Sequence, residues 1–389
     1  MKICFLTYNI FSQGGVQRVV TNLSNELSKE HNIDIICTVD DTPIDSKLYG
    51  LNTNKINIDF KVERINILEK ISRKFYKEIN NKLGILNNKY CSEVLGNLLY
   101  PKSLRKELIR YLNAKNYDVI IGVEAYFSLL LGLISPKINA KTIGWEHNSY
   151  DAYLKMKGKR YYYNLDNLFR HCIPKLDKHI VLTQYDKDKY EKELQIKSEV
   201  IYNQKSFICS KPTNFSNKTF ISVGRLERAK GFDLLIDAFY EFSQNNDEWI
   251  LNIIGEGPER NYLQTKINKL NLNERIFLLG AKNNIIDYYV ESTIYLSSSR
   301  WEGLPLVLIE AMECGLPIIS FDYPAANEII NDHNGIIIQR FNINNFAEKM
   351  NLLGNDIERI KKMGNYSRIE SQKYEKKLIL EKWLKVILN

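Results

Sequence analysis

The stretch from Ser297 to Glu310, SSSRWEGLPLVLIE, concentrates residue types that together handle an anion and a sugar. It sets Glu302 just before a predicted helix and Glu310 within that helix, with Gly303, Leu304 and Pro305 between. A helix opening there leaves its first backbone N–H groups unpaired, beside the positive end of the helix dipole. That is an anion site, and phosphate is the usual anion. Proline at the first helical position loses no hydrogen bond, so Pro305 sharpens the start without weakening it. Carboxylates accept hydrogen bonds from sugar hydroxyls, whereas against phosphate alone they only repel. Two of them flanking a phosphate cradle read as a nucleotide-sugar site.

Other residues carry the same two chemistries. Arg225 and Lys230 stand in ISVGRLERAKGFDLL, between a strand and a helix, where a guanidinium and an ammonium could neutralise a diphosphate without a metal. Taken alone such a pair reads as solvated surface; its pairing with a separate anion site about 75 residues later favours the ligand reading. Gly14 and Gly15 follow the first strand in YNIFSQGGVQR, either as a tight turn or as bare backbone that admits a phosphate or a sugar. Gly255 and Gly257 in GEGPE pose the same choice. His147 ends the strand of GWEHNSY, where a buried, hydrogen-bonded imidazole and a ligand contact are the alternatives. Asp186 and Asp188 spell a metal-holding DxD, but they fall in the first turn of a helix, where acidic residues complement the dipole. They are assigned to capping, and no metal site is expected. The chain has no GxxxxGK[ST] loop and no GxSxG or kinase-like set.

The elements that must position these groups alternate. KICFLTYNI, NIDIICTV, DVIIGV, KTIGWEH and KHIVLT read as strands in the first half, each followed by a helical pattern. KTFISVGR, WILNIIGEG, RIFLLG, TIYLSSS and LPIISFD repeat the scheme in the second. Apolar strands interleaved with amphipathic helices imply parallel sheets covered on both faces. The expected fold is α/β, with two Rossmann-like domains facing each other across a cleft. Residues 1–204 form the first domain, with a basic insertion at about 61–110. Residues 205–218 are polar and aperiodic, as a linker should be, and 219–366 form the second domain. In parallel sheets ligands gather outside the carboxyl ends of the strands, which is where Gly14, His147, Arg225 and Glu302 fall.

Length and composition agree. At 389 residues, with 44% apolar and 26% charged, the chain suits two globular domains. It has no apolar run of roughly 20 residues and no signal-like start, so the expected location is cytoplasmic. Six scattered cysteines without ligand spacing fit a reducing compartment and no structural zinc. Net charge is +8, and residues 61–110 hold twelve Lys/Arg against five Glu, a surplus of 12 − 5 = 7. There Leu68, Ile71, Phe75, Ile79, Leu83 and Leu86 recur at helical spacing, flanked by Lys70, Arg73, Lys74, Lys77 and Lys82. Such a helix lies on an anionic membrane surface or buries its apolar face in the core. Nucleic acid is not an expected partner, because the aromatics form no stacking array.

VGRLERAKGFDLLIDAF, IIGEGPE, FLLG and SSSRWEGLPLVLIEAMECGLPII, in that order and spacing, resemble the family 4 glycosyltransferases of the two-Rossmann (GT-B), group 1 type. GGVQR and WEHN match less specifically, and the likeness covers nearly the whole chain. The resemblance implies that Glu310 holds the ribose, Glu302 the transferred sugar, and Arg225 and Lys230 the diphosphate. Backbone amides of Gly303, Leu304, Leu306 and Val307 around Pro305 would complete the donor contacts, with Gly15 near the diphosphate and His147 near the sugar. It further implies retention of configuration, no metal and no cofactor, and a final helix, about 367–389, that crosses back to the first domain. The resulting expectation is a transferase that moves a hexose or N-acetylhexosamine from a nucleotide sugar, taken as UDP-linked. The acceptor is a lipid-linked saccharide of bacterial surface-polysaccharide assembly, reached from the inner face of the membrane. A two-Rossmann UDP-sugar epimerase and a non-catalytic nucleotide-sugar-binding protein are the alternatives.

Overall fold

The computed structural model describes residues 1–40, 44–61, 67–157 and 162–389. The side chains at positions 67, 68 and 70 lie outside the described residues, and with them the expected places of Leu68 and Lys70. The chain forms two compact units, Met1–Gln204 with Lys377–Asn389, and Lys205–Lys376.

Seven parallel strands make the first sheet: β1 (Lys2–Thr7), β2 (Asn32–Cys37), β3 (Ile56–Phe60), β4 (Val119–Val123), β5 (Lys141–Trp145), β6 (Lys178–Val181) and β7 (Glu199–Val200). Their order is β3-β2-β1-β4-β5-β6-β7. Val119–Val123 is buried at every residue, as a strand with helices on both faces must be, and this forces its unbroken apolar run. The helix Ala125–Ile134 that leaves β4 is buried almost all round, packed among Leu95, Leu168 and Phe169. The second sheet comprises β8 (Thr219–Val223), β9 (Ile250–Ile254), β10 (Ile276–Leu278), β11 (Ile294–Ser297), β12 (Ile318–Phe321) and β13 (Gly335–Ile338). These too are parallel, in the order β10-β9-β8-β11-β12-β13. In each unit the order reverses between the first and fourth strands. Helices leave β1 and β4, or β8 and β11, toward opposite sides, so a crevice opens at their carboxyl ends.

Three elements escape the sequence reading. β3 is a half-exposed edge strand beside the basic segment, β7 has only two residues, and β13 is a four-residue run. The final helix, expected to run unbroken to Leu388, is interrupted. One helix ends at Ser371, a short turn spans Gln372–Tyr374, and a second helix runs Lys376–Leu388. The break falls where the Tyr374 carbonyl accepts the Lys205 N–H at 2.8 Å instead of an intrahelical partner. The last helix belongs to the first unit, with Trp383 edge-on to Trp145 at 4.7 Å and the Val386 carbonyl accepting from Lys141 Nζ at 2.7 Å.

The segment 205–218, expected as a solvated linker, begins the second unit and is pinned to it. Thr213 N–H donates to the Cys314 carbonyl at 3.0 Å, and the Thr213 hydroxyl to the Ser292 carbonyl at 2.7 Å. Its polar residues read as a linker because their partners lie about a hundred positions away.

Candidate functional site

The second unit gathers the strongest candidates at the β8/β11 reversal. After β8 the chain turns through Arg228–Lys230 to Gly231, and after β11 it passes Ser298, Ser299 and Arg300 to Glu302. The two turns are sewn together: Arg300 N–H donates to the Ala229 carbonyl at 2.7 Å and the Ser298 hydroxyl to the Lys230 carbonyl at 2.9 Å. Arg300 also grips Asp233 with two parallel bonds of 2.8 and 2.7 Å. Burial opposes ionisation of Asp233, but the Arg300 bonds outweigh it and hold the carboxyl below the usual range. Gly231 has φ +66, and a Cβ there would meet the Ser298 carbonyl oxygen at 2.1 Å, so only glycine allows the close approach. Gly255 is demanded in the same way, at φ +145 and against the Gly224 carbonyl.

That clamp brings Lys230 and Glu302 into direct contact. The Lys230 ammonium bonds Glu302 Oε1, and the Ser299 hydroxyl donates to the same oxygen at 2.8 Å. Both side chains are mostly covered, 17% and 14% exposed. Arg225 is not drawn into this contact. It is 55% exposed, with its Nε 3.8 Å from Glu227.

The helix after Glu302 runs Leu306–Glu313, one residue later than expected, with Pro305 in extended backbone as its cap. Proline's fixed φ suits that flanking position equally, since the missing N–H is again no loss. Gly303, Leu304, Pro305 and Leu306 are buried and Val307 is half-buried, so the helix start is walled rather than open to solvent. Glu310 is 1% exposed, and its carboxylate accepts from the Ser206 hydroxyl at 2.6 Å and the Tyr289 hydroxyl at 3.1 Å. One turn on, Glu313 accepts from Lys205 Nζ at 2.9 Å, Cys209 N–H at 3.0 Å and the Ser371 hydroxyl at 2.8 Å. Lys205 reaches Glu375 as well, at 2.6 Å. Burial opposes its charge, yet the two carboxylates prevail and hold it above the ordinary lysine range. The adjacent residues Lys205 and Ser206 thus fix the two glutamates of this helix.

In the first unit Gly14 has φ 175, extended backbone open to any residue, and its N–H donates to the Tyr49 hydroxyl at 3.0 Å. Gly15 opens the helix Gly15–Leu27, and a Cβ there would meet nothing within 4 Å. Neither glycine is required by a turn, and the space in front of Gly15 is clear. His147 is half-buried, its ring 4.2 Å from Trp145. Its Nε2 is sealed without a hydrogen-bond partner among the described residues. Burial lowers its pKa to about 3, so the imidazole is neutral at physiological pH. Asp186 caps its helix by exchange with Thr183 and accepts Tyr150 N–H at 2.8 Å, while Asp188 bonds Gln184. Among the described residues no cluster of three or more His, Cys, Asp or Glu could hold a metal.

Sequence reasoning missed Ser206, Tyr289, Lys205, Glu313 and the Arg300–Asp233 clamp. Only the spacing of Glu310 and Glu313 on one helix hinted at a second buried carboxylate. It also missed Glu124, at the carboxyl end of β4, whose backbone lies at φ 72 and ψ 159. On the basic helix, Ile67–Leu83, burial of the whole apolar stripe, one of its two expected arrangements, does not hold, although Leu86 just beyond it packs on the core. Ile71, Phe75 and Leu83 are exposed at 61%, 58% and 66%. Arg73 and Lys77 turn inward over the rings of Tyr126 and Tyr162, at 5.2 and 5.7 Å. Two of its cations therefore rest on aromatic faces of the same unit.

With this geometry in place, the chain can be set beside known proteins. The glycosyltransferase family 4 description matches residues 13–203 and the glycosyl transferases group 1 description residues 205–370. An uncharacterised glycosyltransferase of Haemophilus influenzae is 28% identical over 98% of both chains. The amylovoran biosynthesis glycosyltransferase AmsD of Erwinia amylovora is 27% identical over 98% of both chains. A Campylobacter jejuni α-1,4-N-acetyl-D-galactosaminyltransferase, named for a diNAcBac-PP-undecaprenol-linked saccharide, is 27% identical over 100% of this chain and 98% of its own. Among solved structures, Staphylococcus aureus TarM superposes over 100% of both chains with a TM-score of 0.77 at 17% identity. Pneumococcal GtfA, crystallised with UDP and GlcNAc, covers 100% of this chain and 98% of its own with a TM-score of 0.74 at 19% identity. The chain belongs to the family 4, group 1 glycosyltransferases of GT-B fold.

Proposed function

We propose that this glycosyltransferase moves a hexose or N-acetylhexosamine from a UDP-sugar to a lipid-linked saccharide of bacterial surface-polysaccharide assembly, with retention and without a metal. The observation that carries the reading is the Lys230–Glu302 pair, clamped with Ser299 at the β8/β11 reversal. On donor binding Lys230 exchanges Glu302 for a diphosphate oxygen, and Arg225, free to swing at 55% exposure, joins it. Glu302 then accepts from hydroxyls of the sugar that moves. Fixed cations aimed at the charge that grows on the leaving diphosphate supply the catalysis, a task a metal performs elsewhere. The amides of Leu306 and Val307, with no partner within their helix, lie at the same end. Glu310 takes the ribose by exchanging the Ser206 and Tyr289 hydroxyls for ribose hydroxyls.

The Campylobacter relative, named for a saccharide on diphospho-undecaprenol, supports the acceptor class. The exposed Ile71, Phe75 and Leu83, with exposed Lys74 and Lys82 beside them, support contact with an anionic membrane surface. No helix among the described residues is long and apolar enough to cross a membrane.

The test is a screen of nucleotide sugars against lipid-linked saccharide acceptors, with mass spectrometry of the product. Lys230→Ala and Glu302→Gln should each cut kcat by about 10²–10³, the scale of a lost preorganised electrostatic contact. Turnover of the UDP-sugar to an epimer without any acceptor, or variants as active as wild type, overturns the reading.

A further inference from the structure

Arg300 is an arginine two residues before Glu302, a place that invites the role of a third phosphate ligand. Its bonds point elsewhere. Nη1 donates to Asp233 at 2.8 Å and to the Arg228 carbonyl at 2.9 Å, while Nη2 donates to Asp233 at 2.7 Å. The side chain is mostly covered, and the Asp233 carboxylate it grips stays charged. Its backbone is engaged as well: the N–H donates to the Ala229 carbonyl at 2.7 Å, and the carbonyl accepts from Arg340 Nη2 at 2.5 Å. Arg340 follows β13, so one residue ties together the carboxyl ends of β8, β11 and β13.

The bonds converge on the turn that carries Lys230. Its three consecutive carbonyls, of Arg228, Ala229 and Lys230, accept from Arg300 Nη1, the Arg300 N–H and the Ser298 hydroxyl. Every carbonyl of the turn is thus held by the loop after β11. Asp233 lies in the first turn of the helix Phe232–Ser243, so the guanidinium fork fixes the chain beyond Gly231 too. The Lys230 stem runs against Gly224, where a Cβ would meet its Cδ and Cε at 3.2 Å. A lysine ammonium ends a flexible four-carbon stem, and its place is only as definite as the backbone that bears it. When Glu302 gives up the ammonium to a ligand, that backbone decides where the charge stays.

We propose that Arg300 is a positioning residue for Lys230: with Asp233 and Arg340 it holds the 228–230 turn so that the Lys230 ammonium meets the donor diphosphate, and it does not bind the phosphates itself. The proposal rests on the glycosyltransferase reading, in which Lys230 takes a diphosphate oxygen.

The test is calorimetry on the full-length protein with UDP, and with uridine by displacement of UDP. Arg300→Lys keeps the positive charge and loses the fork. It should bind UDP about tenfold more weakly, the scale of one misaligned charge-assisted hydrogen bond, and bind uridine as wild type does. Lys230→Ala should weaken UDP at least as much. Adding Arg300→Lys to Lys230→Ala should then change UDP affinity less than twofold, because the arginine acts through the ammonium. Asp233→Asn breaks the same fork with Arg300 in place, and it decides the matter should Arg300→Lys not fold. Wild-type UDP affinity in the fork variants, equal losses for UDP and uridine, or a further loss in the Lys230→Ala background each overturn the proposal. A Lys230→Ala variant that binds UDP as wild type does overturns the donor role of Lys230 and the proposal with it. A weakened Lys230→Ala beside any of the three former results overturns the proposal alone and leaves the transferase reading standing.

Discussion

Replacing Lys205 by methionine should loosen the second unit at the helix that carries Glu310. Lys205 is 2% exposed and bridges Glu313 at 2.9 Å and Glu375 at 2.6 Å. Removing one partner of a buried pair costs about 3–5 kcal/mol, because the other charge is left without compensation. Glu313 retains the Cys209 N–H and the Ser371 hydroxyl, and Glu375 is 34% exposed and can turn to water. Those remaining bonds place the expected loss at the lower end, about 3 kcal/mol. At roughly 1.4 kcal/mol per factor of ten, amide protection in Leu306–Glu313 should fall about a hundredfold when opening of the unit limits exchange. Hydrogen exchange with mass spectrometry reads this peptide separately from the first unit, whose protection should not change. The double variant Lys205→Met with Glu313→Gln should regain part of the loss, since no unpaired carboxylate is left buried. Protection within threefold of wild type in the single variant would show that the pair is not buried as described, and the reasoning would fail.

Three further outcomes are expected. Transfer activity should survive dialysis against EDTA if, as proposed, Lys230 and Arg225 meet the diphosphate charge; a loss restored by a divalent ion would contradict this. His147 has a folded pKa of about 3 against an ordinary value near 6.5, so the unfolded chain binds the extra proton between those values. Its contribution to stability is therefore present above about pH 6.5 and declines toward pH 3, by up to about 1.4 kcal/mol per pH unit. Chemical denaturation of His147→Gln should show a shallower decline over that range, and an identical slope would refute the assignment. Ile71→Glu with Phe75→Glu should abolish sedimentation with phosphatidylglycerol vesicles and leave UDP binding intact; unchanged sedimentation would remove the membrane role of that helix.

The sequence makes the sheets legible because parallel strands buried on both faces must be apolar throughout, as in Val119–Val123 and the burial-locked run of β1. SSSRWEGLPLVLIE makes the candidate donor helix legible for a local reason: glycine, proline and two glutamates lie within four residues of its start at Leu306. What holds those glutamates is not local. Ser206 lies 104 residues from Glu310 and Lys205 108 from Glu313, so a segment that looks like a linker is part of the site's frame. The basic helix misleads for another reason. Periodicity reports which residues share a face, and it does not report which face turns inward. Ile71 and Phe75 share one side with their neighbours as the spacing requires, yet that side is outermost. Glu124 leaves no trace in the pattern, since its distinguishing feature is a backbone angle.

Both sheets reverse their strand order at the same topological position, and the charges at the two reversals are arranged differently. At the β8/β11 reversal a lysine and a glutamate already neutralise each other, so on the proposed function a donor enters by exchange: phosphate for Glu302 on the lysine, sugar hydroxyls for Lys230 on the glutamate. At the β1/β4 reversal Glu124 does not pair with Arg73 or Lys77, which lie over the rings of Tyr126 and Tyr162. A pre-paired site is nearly neutral when empty and gives up an ion pair on binding, which favours a tight, charge-matched ligand such as a nucleotide diphosphate. Combining Lys230→Ala with Glu302→Gln should then cost less than the sum of the single effects on UDP affinity.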